Sequence, residues 1–194
     1  MEFEAGKDVY LPSDDSLLLS EFVPRFSRGD VLDVGTGCGV QAVIAAKKAK
    51  SVLAIDVNPS ALSCAKENAL LNKLQKKISF RESDLFSAIK WNETFDLIIF
   101  NPPYLPTSPA ERVQGPLNAA FDGGPDGRMV IDRFLGEFFS HLKLNGDVLL
   151  LHCHLADTAK TVFSLSEIGL EVETLKTIKA GNEELSVIHA KRVR

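Results

Sequence analysis

Cysteine is scarce. The 194 residues hold three, Cys38, Cys64 and Cys153, an odd number with no Cys-x-x-Cys spacing. That argues against a disulfide scaffold and a zinc ribbon, and suits a reducing compartment, the cytoplasm. Basic residues are not in excess. The 22 Lys and Arg are outnumbered by 26 Asp and Glu, so bulk charge does not equip the chain to grip nucleic acid, and direct nucleic-acid binding is not expected. No run reaches the ~18 apolar residues of a membrane span. The start, MEFEAGKDVY, is polar and acidic and is not expected to be a signal peptide. No repeat, low-complexity tract or linker divides the chain, so a single domain over residues 1–194 is expected.

What is present is an alternation. Apolar runs at 30–35, 52–57, 78–82, 95–100 and 148–153 read as strands, and two more strands end the chain around the turn in KAGNEE. Helical patterns separate them at 11–23, 40–50, 59–72, 126–143 and 155–168. Ser13 is placed to cap the first helix, with Leu17, Leu18 and Phe22 inward, and Asn58-Pro59 opens the third. This order predicts an α/β fold: a mostly parallel seven-stranded sheet with an antiparallel last strand, covered on both faces. The strand at 78–82 should be an edge, and it carries neither proline nor lysine to defend it.

Ligands of such sheets bind beyond the carboxyl ends of the strands. DVGTGCG, residues 33–39, ends the first strand with glycines that let backbone approach a ligand. It is not a dinucleotide fingerprint, because Val40 stands where that motif needs a small residue. Asp56 ends the second strand, suited to two ribose hydroxyls, and Asp84 follows the third, suited to an adenine amino group. With Asp33 they put three acids at three strand ends, around Gly35, Thr36, Gly37 and Val57. Such a site fits an adenosine whose neighbour is cationic rather than phosphorylated; S-adenosylmethionine meets that description.

The fourth strand runs into Asn101-Pro102-Pro103-Tyr104. A planar amino nitrogen is a poor nucleophile, because its lone pair is delocalised. Two acceptors aimed at its hydrogens would hold it and favour the positive charge that develops during methyl transfer. The Asn101 side-chain oxygen and the Pro102 carbonyl supply two such acceptors, the prolines fix their direction, and Tyr104 offers a ring to stack on. Asn101, Pro102 and Tyr104 are thus expected to be catalytic, and Asn101 to Tyr104 to bind the acceptor.

On these residues the chain resembles the HemK-like class I methyltransferases. DVGTGCG, AIDVNPSALSCAKENA and NPPY match the superfamily, and FDGGPDGR (121–128) the protein-glutamine branch. YLPSDDSLLL and AGNEELSV are similar to the archaeal and eukaryotic single-domain branch. The resemblance implies a Rossmann-like domain whose residues 1–29 form a helical lead-in packed on the cofactor site. It implies S-adenosylmethionine held by Ser16, Asp33, Gly35, Asp56, Asp84, Leu85 and Asn101. It also implies methylation of the glutamine side-chain amide in the Gly-Gly-Gln loop of a class 1 release factor, and a small zinc-binding activator subunit. The rival reading is an adenine or guanine amino methyltransferase, since the same clamp serves any planar amino group. The acidic balance, the DGGPDGR segment and the lack of a target-recognition domain weigh against it. His152 and His154 form an incomplete metal site, and no metal is expected. Arg128 and Arg133 are read as holding the loop or the substrate, or as pairing with nearby acids.

Overall fold

The computed structural model describes residues 1–4, 6, 8–108, 110 and 115–194. Strands β1 (Asp30–Val34), β2 (Ser51–Asp56), β3 (Ile78–Glu82), β4 (Phe95–Phe100), β5 (Leu142–Cys153), β6 (Leu170–Ala180) and β7 (Glu183–Arg192) form one sheet. Its order is β3-β2-β1-β4-β5-β7-β6. Neighbours from β3 through β5 pair in parallel. The antiparallel last strand, β7, is inserted between β5 and β6 and runs against both. The strand at 78–82 is an edge, as its place in the chain order predicts.

Side chains alternate across the strands and build two apolar layers. On one face Val31, Ala54, Ile99 and Leu149 meet α1 (Asp14–Ser20), α2 (Val23–Phe26), α3 (Val40–Ala46) and α4 (Pro59–Leu71). On the other Leu32, Ile55, Ile98 and Leu150 meet Phe134 of α5 (Met129–Glu137), Phe138, and Leu165 of α6 (Thr158–Glu167). The central strands are buried on both faces, which is why they read as continuous apolar runs.

Several boundaries move. The helix expected at 126–143 is α5, then a 3₁₀ turn at Phe138–His141, and β5 begins at Leu142. The Arg128 backbone N–H bonds Asp126 Oδ1, and Gly127 has φ +73°, so 126–128 is a turn. At the far end Leu142 pairs with Phe95 in the sheet, a tertiary contact that a helical spacing of apolar residues does not reveal. The helix expected at 40–50 is α3, which stops at Ala46, and Lys77 Nζ donates to the Ala46 and Ala49 carbonyls at 3.0 Å each. In α4 the cap is as expected: Asn58 Oδ1 accepts from the Ser60 N–H at 2.9 Å. In α1 it is not. The Ser13 side chain makes no cap bond, and the inward residues are Asp15, Ser16, Leu18 and Leu19, with Leu17 59% exposed.

The two histidines of HCH separate at the end of β5. His154 lies in a 3₁₀ turn, where Nδ1 accepts from the Glu184 backbone N–H. His152 is fully buried, with Nδ1 2.9 Å from the Cys153 carbonyl and Nε2 2.8 Å from Thr161 Oγ1. A carbonyl only accepts, so Nδ1 carries the proton and Nε2 accepts the Thr161 hydroxyl. Burial pushes the His152 pKa down to about 4. The unfolded chain protonates this residue near the ordinary value of ~6.5 while the folded chain refuses the proton. Stability should therefore fall as pH drops from ~6.5 towards ~4, by roughly 3 kcal/mol from this group. Urea unfolding at pH 7 and pH 5 should show the loss, and His152→Gln should shrink it.

Candidate active site

A cavity of about 510 Å³ opens beyond the carboxyl ends of β1, β2 and β4, where the strand order reverses. All thirteen residues predicted from sequence line it: Ser16, Asp33, Gly35, Thr36, Gly37, Asp56, Val57, Asp84, Leu85, Asn101, Pro102, Pro103 and Tyr104.

The glycine loop is held from beneath. Asp33 Oδ2 accepts from Thr36 Oγ1 at 2.6 Å and from the Ala42 N–H at 3.0 Å, tying the loop to α3. Burial pushes the Asp33 carboxyl up to about 7. This carboxylate oxygen is spent on the loop. Gly37 has φ +54° and turns its N–H to Asp56 Oδ2 at 2.9 Å, while Asp56 Oδ1 takes the Asn58 N–H at 2.8 Å. Burial raises the Asp56 pKa and these two backbone bonds oppose it. Each Asp56 oxygen keeps a lone pair for a donor from the cavity. Asp84 is more exposed, and its Oδ2 is 3.0 Å from Arg133 Nη2. Arg133 therefore pairs with an acid. Cys38 also lines the wall, but burial pushes its pKa up to about 11, and it is a thiol rather than a nucleophile.

At the end of β4, Asn101 Nδ2 donates to Asp15 Oδ2 at 3.0 Å. Among the described residues, Asn101 Oδ1 is a buried oxygen with no hydrogen-bond partner. An unpaired buried carbonyl is costly, which marks it as a place for a ligand donor. Asp15 is itself buried, and its Oδ1 accepts from the Tyr10 hydroxyl at 3.0 Å and from the Ser16 N–H and Oγ. Burial, and then the Asp15 charge, push the phenols of Tyr10 and Tyr104 up, so both stay protonated. Tyr10 meets Phe121 edge to face, with ring centroids 5.4 Å apart.

Residues 101–125 follow β4 and are described except at 109 and 111–114. The two ends of this segment run side by side. Leu105 bridges Asp122, the Gly123 N–H bonds the Leu105 carbonyl at 3.0 Å, and the Thr107 N–H bonds the Gly124 carbonyl at 2.8 Å. Arg128 anchors this pair. It is 3% exposed, and its guanidinium bonds the Ala156 and Asp157 carbonyls, Thr161 Oγ1 and Asp132. Of the two arginine readings, Arg128 thus both holds the loop and pairs with an acid. Sequence reasoning missed Asp15, Tyr10 and Phe121. The sign of Asp15 was its spacing from Leu18 and Leu19, on the inward face of α1.

The donor set can be tested against a cofactor. Among the described lining residues are seven acids, Asp8, Asp15, Asp33, Asp56, Asp84, Asp122 and Glu183, and no Lys or Arg. That fits a ligand rich in donors and positive charge, and does not fit a pyrophosphate.

This sheet order, with its reversed last strand and its cavity over β1, β2 and β4, is that of the class I methyltransferases. The model of the methyltransferase small domain family matches residues 13–113. A Methanocaldococcus jannaschii protein that carries a provisional name as a protein N5-glutamine methyltransferase is 44% identical over 96% of this chain and 93% of its own. Human methyltransferase HEMK2 is 32% identical over 95% of this chain and 90% of its own. E. cuniculi Mtq2 was solved in a complex with Trm112 described as responsible for methylation of the eRF1 translation termination factor. It aligns with a TM-score of 0.75 and 26% identity, over 96% of this chain and 99% of that one. The chain belongs to the HemK-like class I methyltransferases. Among its described residues no helix is long and apolar enough to cross a membrane.

Gly127 shows how tightly the loop is packed. At φ +73°, a Cβ there would collide with the Tyr104 carbonyl oxygen. Gly127→Ala should cost about 2 kcal/mol or more, from left-handed backbone strain and displacement of the Tyr104 carbonyl. The shift should be read as a lower urea midpoint at unchanged slope.

Proposed function

We propose that the chain is an S-adenosylmethionine-dependent N-methyltransferase that methylates the glutamine side-chain amide in the Gly-Gly-Gln loop of a class 1 release factor. It would act in the cytoplasm as one methyltransferase domain over residues 1–194, with residues 1–29 packed on the cofactor site. The observation that carries this reading is the buried, unpartnered Asn101 Oδ1 at the cavity wall. The names of the archaeal relative and of the Mtq2 complex support the substrate.

Asp56, Asp84, Leu85, Val57, Ser16, Asp33 and the Gly35–Thr36–Gly37 turn would hold S-adenosylmethionine, which supplies an electrophilic methyl group on a cationic sulfur. Asn101 Oδ1 and the Pro102 carbonyl accept from the amide hydrogens, and Tyr104 stacks on the amide plane. These acceptors stabilise the positive charge that grows on nitrogen, and no strong base is needed before transfer. Seven acids and no Lys or Arg among the described lining residues also repel a polyanion, which disfavours a nucleic-acid base as acceptor.

A small zinc-binding activator belongs to the same reading. β3 is an edge. The Val52 N–H bonds the Lys77 carbonyl and the Ser83 N–H bonds the Asp56 carbonyl, so odd-numbered residues of β3 face β2. The groups free for a partner strand are those of Ile78, Phe80 and Glu82. α4, which packs on β3, ends with Leu70 and Leu71 exposed.

Asn101→Ala should slow transfer to a release factor by about 10²–10³ while binding S-adenosylmethionine nearly as wild type does, measured by calorimetry beside a labelled-methyl assay. Asp56→Ala should show the opposite pattern, with weakened cofactor binding. Near-normal transfer by Asn101→Ala would sink the clamp. Labelled methyl entering RNA or DNA instead would replace the substrate. Glu82→Pro removes one outward donor, and it should weaken co-elution with a co-expressed activator; unchanged co-elution would place the partner elsewhere.

A further inference from the structure

The clamp needs the Asn101 amide one way round. Its oxygen and its NH₂ have nearly the same shape, and a half turn about the last side-chain bond exchanges them. Turned the wrong way, Asn101 would present a donor to an acceptor nitrogen that is itself a donor. Something must choose, and the choice lies 86 residues away in sequence, on α1.

We propose that Asp15 is the positioning residue that sets the Asn101 amide. An ionised carboxylate accepts and never donates, so Asp15 Oδ2 admits only Nδ2, at 3.0 Å, and leaves Oδ1 turned away from it, buried and free. Asp15 is held in turn. Its other oxygen takes the Ser16 N–H at 2.5 Å, Ser16 Oγ at 3.1 Å and the Tyr10 hydroxyl at 3.0 Å. At 4% exposure such a carboxylate is costly unless fully bonded. Its donors come from the first turn of α1, the segment just before it, and Asn101. None comes from the packed layers of the core. An apolar residue would bury more cheaply at this inward position, so the acid is there for what it does to Asn101. This inference rests on the clamp reading of Asn101.

Its test exchanges the two groups. Asp15→Asn keeps the shape, but the amide it introduces can satisfy Ser16 and Tyr10 with its oxygen and must then offer its NH₂ to residue 101. The Asn101 oxygen would turn towards that NH₂, and the Asn101 NH₂ would face the acceptor. With labelled S-adenosylmethionine and a release-factor domain bearing the Gly-Gly-Gln loop, kcat should fall about 10²-fold, with cofactor Kd within about threefold. The exchange Asp15→Asn with Asn101→Asp restores an acceptor at both places. The carboxylate now at position 101 takes the NH₂ of the new amide with one oxygen and offers the other to the substrate. This double variant should recover at least tenfold over Asp15→Asn. Asn101→Asp alone sets two carboxylates together and should not recover activity.

A kcat within threefold of wild type in Asp15→Asn, while Asn101→Ala remains inactive, overturns the positioning role and leaves the clamp standing. A folded double variant without recovery overturns it too. Activity in Asn101→Ala removes the clamp itself. Where a variant fails to fold, the wild-type chain decides by NMR. A scalar coupling across the hydrogen bond from Asn101 Nδ2 to the Asp15 carboxyl carbon supports the role, and its absence in well-resolved spectra overturns it.

Discussion

A guanidinium at 3% exposure is tolerable only where its nitrogens find acceptors, and each nitrogen of Arg128 finds one, across two parts of the chain. Its partners are the Ala156 and Asp157 carbonyls and Thr161 Oγ1 at the joint of β5 and α6, and Asp132 one turn along its own helix. The joint is cross-tied, since the same Thr161 hydroxyl bonds the buried His152. From this anchor the 121–127 segment is laid along residues 104–107, close enough at Gly127 that no side chain fits against Tyr104. The direction of the Asn-Pro-Pro-Tyr turn thus depends on a charge more than twenty residues beyond it.

The site is built from acceptors. Asp33 at the end of β1 holds the Thr36 hydroxyl and the Ala42 N–H of α3, Asp56 at the end of β2 holds the N–H groups of Gly37 and Asn58, and the glycine loop keeps its shape through them. The same acids make the cavity a poor place for phosphate and a good one for a cation. Burial disfavours their charged forms, which is seen in the raised pKa values of Asp33 and Asp56. A cationic ligand would relieve that pressure, so the geometry that shapes the loop also favours the ligand.

Much of this was legible along the chain. The strand-helix alternation, the edge at 78–82, Asn58 as a cap, and the strand-end acids, the glycine turn and the Asn-Pro-Pro-Tyr unit of the cavity follow from patterns a few residues long, whereas Ser16 and Leu85 were named only through the family resemblance. The boundaries that moved were those decided elsewhere. Leu142 belongs to a strand because Phe95 lies beside it, and α3 ends where Lys77 reaches its carbonyls. The registry of β3 was likewise hidden: which of its residues face outward is set by β2.

By itself the sequence determined the fold class, the strand ends where chemistry would sit, and the residue types offered there, because periodicity and turn chemistry are local. Tertiary structure alone decided how those residues are aimed. Asp15 could be read only as a first-turn acid of a short helix until the fold brought it to Asn101. Arg128 was one of two ambiguous arginines until the fold buried one and left the other at the surface with Asp84. The physical reason is common to both. A hydrogen bond between distant residues leaves no period in the chain, and the orientation of an amide or a guanidinium depends on which acceptors surround it once the chain is folded.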